Sequence, residues 1–263
     1  MMNLSEHSSE DVPREAMHRE EAPSREVVSS EGSGRCGAGE GCGVARCAAA
    51  RSEARGVALW VIASALAACS AAFVVTMGIR TDGFVHADGA VISLAALALE
   101  LLWESIEAGV IEEAMFRGLL LYVLAEGLSR VKRWAAQPGF AMVLAVLIST
   151  VAFAGAHVVS SLSISSAELD AAACLALALK FAQAFLFGVC MCALVLARRS
   201  LWWPILVHIA FDFLYFAPSF AFAGGLPASY AVLDAPSLAA LAASILLLLP
   251  PCVKSMRVLR KAC

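Results

Sequence analysis

From residue 57 onward the chain is built of long apolar runs, and the polar residues inside them recur at helical rather than strand spacing. Val57 to Ile79 contains no charge, and further runs cover 90–128, 139–159, 171–197, 201–216 and 238–253. A bilayer's hydrocarbon core requires about 20 apolar residues of helix, so each run predicts a membrane span. The stretch 90–128 would reach nearly twice that thickness at about 1.5 Å per residue. It is expected to be broken, strongly tilted or partly in-plane, with Gly109 as the break. The pattern therefore predicts an all-α fold, a polytopic transmembrane helix bundle of about six to seven spans.

Composition sharpens this picture. Hydrophobic residues make up 60% of the chain, well above the roughly 45–50% of soluble domains. Residues 1–56 differ, being rich in Glu, Ser, Gly and Arg without an apolar period. They are expected to form a disordered cytoplasmic tail, because such a segment cannot bury enough surface to offset chain entropy. Residues 1–30 hold no apolar core of the signal-peptide kind, so the first span is expected to stay as an uncleaved anchor.

Basic residues near span ends favour the cytoplasmic side. They cluster at Arg46, Arg51 and Arg55, at Arg130, Lys132 and Arg133, at Arg198 and Arg199, and at Lys254, Arg257, Arg260 and Lys261. With six crossings all four clusters fall on one side. The opposite loops carry Asp82, Asp88, Glu168, Asp170 and Asp234, with Arg80 as the only Lys or Arg. Both termini are thus expected in the cytoplasm, 254–263 being a basic tail, on a multi-pass protein of the cell membrane. A net charge of −3 and the lack of a basic stripe interleaved with aromatics give no support to nucleic-acid binding. Cys36, Cys42 and Cys47 lack paired zinc-type spacing, and Cys69, Cys174, Cys190 and Cys192 lie within spans, where free Cys behaves as a small hydrophobe.

Against this background the intramembrane ionisable residues carry the chemistry, since each costs roughly 2.5–3.5 kcal/mol at a span centre on insertion scales. Glu113 and Arg117 stand at i and i+4 on one helical face, while Glu112 points about 100 degrees away. One carboxylate can be held by the guanidinium while the other faces a pocket as a general base. Taken alone, the segment equally suits a Glu–Arg pair that fixes helix packing. His157 ends an apolar run after small residues that let another helix come close; a structural hydrogen bond is its plainer role. His208 and Asp212 share a face at i and i+4, and Pro204 suits the first turn of their helix. Such a pair could ligate a metal, orient an imidazole, stabilise negative charge or tie helices together. Glu100, Glu104 and Glu107 form a stripe that meets water, headgroups or protein. Lys180, inside its span near Gln183, needs an acidic partner or a wet cavity, and is expected to pair with a member of that stripe.

The order Glu112-Glu113-x-x-x-Arg117, then Phe153-x-x-x-His157, then His208-x-x-x-Asp212, each in an apolar helix, resembles the CPBP family of intramembrane proteases, the CAAX prenyl endopeptidase and Abi proteins. The likeness covers about 107–216 and includes Phe116-Arg117-Gly118 and the Gly188 to His208 stretch with its Arg-Arg-Ser-Leu-Trp turn. It implies that 57–253 is a transmembrane helical protease-like domain enclosing a hydrophilic cavity. It further implies that Glu112 and His157 activate water, Glu113 and Arg117 support Glu112, and His208 with residue 212 stabilises the oxyanion. The partner it implies is a membrane-associated or lipidated peptide. The resemblance is compatible with a metal-free glutamate mechanism and with zinc, which Glu112, His157 and His208 would hold. Members of the family with Asn at position 212 have an amide donor there. Ionised Asp212 can only accept, so its expected role is to orient His208.

Other protease signatures are missing. The chain has no His-Glu-x-x-His, no Gly-x-Ser-x-Gly and no Gly-x-Gly-Asp. The alternative function class is a non-catalytic immunity or scaffold protein, or a proton-coupled carrier that uses the same Glu and His residues as a relay. A carrier would more often show inverted repeats, and the two halves of the chain share none that is convincing.

Overall fold

Where lipid replaces water, the backbone must satisfy its own hydrogen bonds, and a chain of long apolar runs does so by becoming helical. The computed structural model describes residues 40–79, 94–131, 138–164, 170–223 and 234–262, and among them there is no strand. The helices are α1 (Glu40–Ile79), α2 (Leu94–Glu113), a π-helical stretch (Ala114–Leu120), α3 (Leu121–Arg130), α4 (Pro138–Ile164), α5 (Ala171–Arg198), α6 (Trp202–Ala223) and α7 (Ala235–Ala262). Five contain segments long and apolar enough to span a bilayer: Arg55–Ile79, Gly139–Val159, Ala171–Arg198, Trp202–Phe222 and Ala235–Leu259. These are five of the runs predicted from sequence.

The sixth run differs from expectation at one point. Residues 94–130 form one helical rod, with Glu113, Leu120 and Leu121 all in right-handed helical geometry. There is no break at Gly109. A Cβ at that position would lie 2.8 Å from Ile209 Cγ1 and 3.3 Å from the Ile209 backbone nitrogen, so the glycine permits close packing of α2 on α6. The irregularity falls five residues later, where the α-helix widens into the π turn. Helix also extends into both predicted tails: α1 begins at Glu40 and α7 continues to Ala262. Residues 1–39, Cys36 among them, lie outside the described residues, as do Arg80, Asp82, Asp88, Lys132, Arg133 and Glu168.

The central helix is α5, which packs on α4, α6, α7 and the π stretch. Its residues from Leu186 to Leu194 are all buried, as expected of a helix that is apolar on every side. Around it one core joins Val57, Val61 and Ala65 of α1, Phe153 of α4, Met191 and Leu194 of α5, Phe211 of α6 and Leu248 of α7. Large apolar side chains also point outward, including Trp103, Leu119, Trp202 and Leu246. This outer shell suits a hydrocarbon solvent. Asp170 and Asp234 cap α5 and α7, accepting from the Ala173 and Ser237 backbone N–H groups at 2.7 and 2.8 Å.

Arg199 ends α5 with φ of 51°, its N–H donating to Val195 O at 2.7 Å, while the neighbouring Arg198 guanidinium lies 4.2 Å from the Trp203 ring centroid. Left-handed geometry crowds any Cβ, and glycine is the residue that relieves it after a helix. Arg199→Gly is expected to stabilise the protein by about 1 kcal/mol. An SDS titration of the purified protein in mixed micelles measures this as a later unfolding midpoint.

Candidate active site

The site begins at the junction of α2 and the π stretch. Consecutive carboxylates of a helix must face different ways, and here they do. Glu113 is fully buried, whereas the Glu112 side chain is 30% exposed and lines a cavity. Widening the helix loosens its backbone bonding, and Phe116 O accepts a 2.7 Å bond from Ser149 Oγ of α4, which pins the π stretch to that helix.

Glu113 Oε1 is the meeting point of two helices. Arg117 Nη1 lies 3.0 Å from it, a charge contact that lacks the alignment of a hydrogen bond, and His208 Nδ1 of α6 donates to it at 2.8 Å. The guanidinium carbon sits 4.0 Å from the centroid of the Phe153 ring. Its place is kept open by Gly188, where a Cβ would come within 3.3 Å of Arg117 Nη2 and 2.8 Å of Thr150 Cγ2.

The two imidazoles approach Glu112 from α4 and α6. His157 Nε2 is 3.9 Å and His208 Nε2 3.7 Å from Glu112 Oε2, which has no direct hydrogen-bond partner. His157 Nδ1 lies 3.0 Å from Phe153 O; a carbonyl only accepts, so Nδ1 carries the proton and a neutral ring presents Nε2 as an acceptor. His208 Nε2 is also 3.4 Å from Asp212 Oδ2. Phe153 packs against both rings, with centroids 4.6 Å from His157 and 6.1 Å from His208. All six residues singled out from sequence thus lie in one cluster drawn from three helical rods.

The cavity beside this cluster has a volume of about 330 Å³. Glu112, His157 and Asp212 line it together with Glu104, Ser105 and Lys180. Glu113, Arg117 and His208 stand behind that wall. Lys180 was expected to pair with the Glu100, Glu104 and Glu107 stripe. Instead its ammonium donates to Gln183 Oε1 at 3.0 Å, and it shares the cavity wall with Glu112 and Asp212. The stripe residues are exposed, with Glu104 at the cavity's edge. Of the two surroundings the sequence allowed a buried lysine, an acidic partner or a wet cavity, Lys180 lines the cavity.

As a donor set, Glu112, His157 and His208 resemble zinc ligands in kind, since each ring gives its Nδ1–H to a protein acceptor and turns Nε2 inward. Zinc–ligand bonds of about 2.0–2.2 Å hold neighbouring donors about 3.3 Å apart, and the Glu112–imidazole separations exceed this. Among the described residues, no three His, Cys, Asp or Glu side chains converge as a metal-binding group.

Fold and site together define an all-helical, multi-pass membrane protein with an acid–imidazole centre inside its bundle. Residues 94–214 match the family model described as type II CAAX prenyl endopeptidase, Rce1-like. The matched segment agrees with the family resemblance of the motifs and contains every residue of the cluster. The kind of activity it supports is that of a protease, a hydrolase. No curated protein and no solved structure matches the chain.

Arg117→Leu would leave the buried Glu113 with His208 alone, and removing one partner of such a pair costs about 3–5 kcal/mol. The variant is expected to unfold at correspondingly lower SDS fraction. Arg117→Lys, which keeps the charge, should recover part of the loss.

Proposed function

We propose that the protein is an intramembrane endopeptidase that cleaves a membrane-associated or lipidated peptide with water activated by Glu112 and His157. The observation that carries this reading is the Glu112 carboxylate, which lines the cavity and brings its Oε2 to 3.9 Å from the acceptor nitrogen of His157. That gap is too long for a direct hydrogen bond and suits a water bonded to both groups. Glu112 takes a proton from this water as its oxygen attacks the scissile carbonyl, and returns it to the amine when the C–N bond breaks. His157 orients the nucleophile through Nε2. Glu113 and Arg117 hold the helix that carries Glu112, and Asp212 fixes the His208 ring against it.

No step is routed through a metal. With an S-prenylated quenched-fluorescence peptide and protein in nanodiscs, Glu112→Gln is expected to lower kcat by about 10²–10⁴-fold, the usual worth of a general base. Wild-type turnover should survive dialysis against a chelator. Retained activity in folded Glu112→Gln would sink the hydrolytic role. Activity lost on chelation and restored by stoichiometric zinc would instead place an ion on Glu112, His157 and His208.

We also propose that both termini face the cytoplasm, supported by the basic clusters at alternate rod ends and by the six rods among the described residues. A C-terminal green fluorescent protein fusion should fluoresce and a C-terminal alkaline phosphatase fusion should be inactive; the opposite pair of results would invert the topology.

A further inference from the structure

Hydrolysis of a peptide bond needs a donor aimed at the oxygen on which negative charge develops. The described polar residues lining the cavity are Glu104, Ser105, Glu112, His157, Lys180 and Asp212. Ionised carboxylates donate nothing. Ser105 gives its hydroxyl proton to Leu101 O at 2.7 Å, and His157 gives its Nδ1–H to Phe153 O at 3.0 Å. His208 is not on the wall; its Nε2 faces Glu112 Oε2 and Asp212 Oδ2. Within this set Lys180 is the side chain built to donate into the cavity.

We propose that Lys180 is a catalytic residue whose ammonium stabilises the tetrahedral oxyanion. This rests on the hydrolytic reading above. The buried ammonium is tethered: Lys180 Nζ donates to Gln183 Oε1 at 3.0 Å, Gln183 Nε2 donates to Ser244 Oγ at 2.7 Å, and Ser244 Oγ donates to Leu241 O at 3.0 Å. The rings of Tyr215 and Phe216 flank it, with centroids at 5.3 and 5.7 Å. A relay of fixed donors running from α7 through α5 positions the charge before substrate arrives, the condition under which such stabilisation is strongest. An ammonium carries three hydrogens, so on the cavity wall Lys180 can hold its tether and donate to a bound oxyanion together. In the addition step the water oxygen bonds to the carbonyl carbon, its proton passes to Glu112, and the carbonyl π pair moves onto the oxygen facing Lys180. Collapse returns that pair to the carbonyl and breaks the C–N bond. Lys180 exchanges no proton in either step.

The test uses full-length protein in nanodiscs, the prenylated peptide above, and a phosphinic peptide that mimics the tetrahedral anion. Lys180→Met and Lys180→Gln are expected to lose about 10²–10³-fold in kcat, the usual cost of one oxyanion donor, with KM little changed and affinity for the phosphinic peptide falling in parallel. Lys180→Arg should recover part of the rate, because it keeps a cationic donor. Wild-type kcat and analogue affinity in Lys180→Met, beside an inert Glu112→Gln, would overturn the assignment and leave the hydrolytic reading standing. Activity in Glu112→Gln would remove that reading itself. If the Met and Gln proteins are not monodisperse, Gln183→Met decides: it keeps the ammonium but cuts its tether, so kcat should fall with KM held, and unchanged kcat overturns the proposal.

Discussion

A single buried carboxylate oxygen ties the site together. Glu113 Oε1 sits between the Arg117 guanidinium, one turn along its own rod, and the His208 imidazole of α6. Removing a carboxylate from water costs several kcal/mol after relaxation, so its surroundings must supply charge and hydrogen bonding together. Once that demand is met, the two rods cannot slide without stranding a charge. Register between α2 and α6 is fixed, and Glu112, the next residue back, is carried to the cavity wall.

The packing serves that constraint through small residues and one irregular turn. Gly109 brings α2 against α6, and Gly188 clears the volume that Arg117 Nη2 needs beside Phe153. The π stretch begins directly after Glu113, and Ser149 captures the Phe116 carbonyl. Without the first contact His208 would not reach Glu113; without the second the guanidinium would meet a methyl group. Apolar side chains cover the outside of the rods, so the polar groups are turned inward by default.

The cluster sorts into a wall and a backing. Glu112, His157, Asp212 and Lys180 face the cavity, while Glu113, Arg117 and His208 are almost wholly enclosed and act on the wall through contact. Aromatic rings fill the space between: Phe153 touches both imidazoles and the guanidinium, and Phe187 packs edge-on to His208 at 5.0 Å between centroids. Such packing leaves the rings few rotamers. The charges are therefore held in place by hydrocarbon as well as by one another.

The sequence alone determined the all-helical fold and the candidate residues, because apolar run length and i, i+4 spacing are local quantities that a helix converts directly into geometry. It read Glu113–Arg117 and His208–Asp212 correctly as same-face pairs, and separated Glu112 from Glu113 by direction. It misread Gly109 as a break and paired Lys180 with the outer Glu stripe. In each case the answer depends on which helix lies opposite, and no periodicity within one helix records that. Only tertiary structure decided that His208 binds Glu113, that Lys180 shares a wall with Glu112 and Asp212, and that Gly109 faces Ile209. Those are contacts between rods, fixed by the packing of side chains distant in sequence.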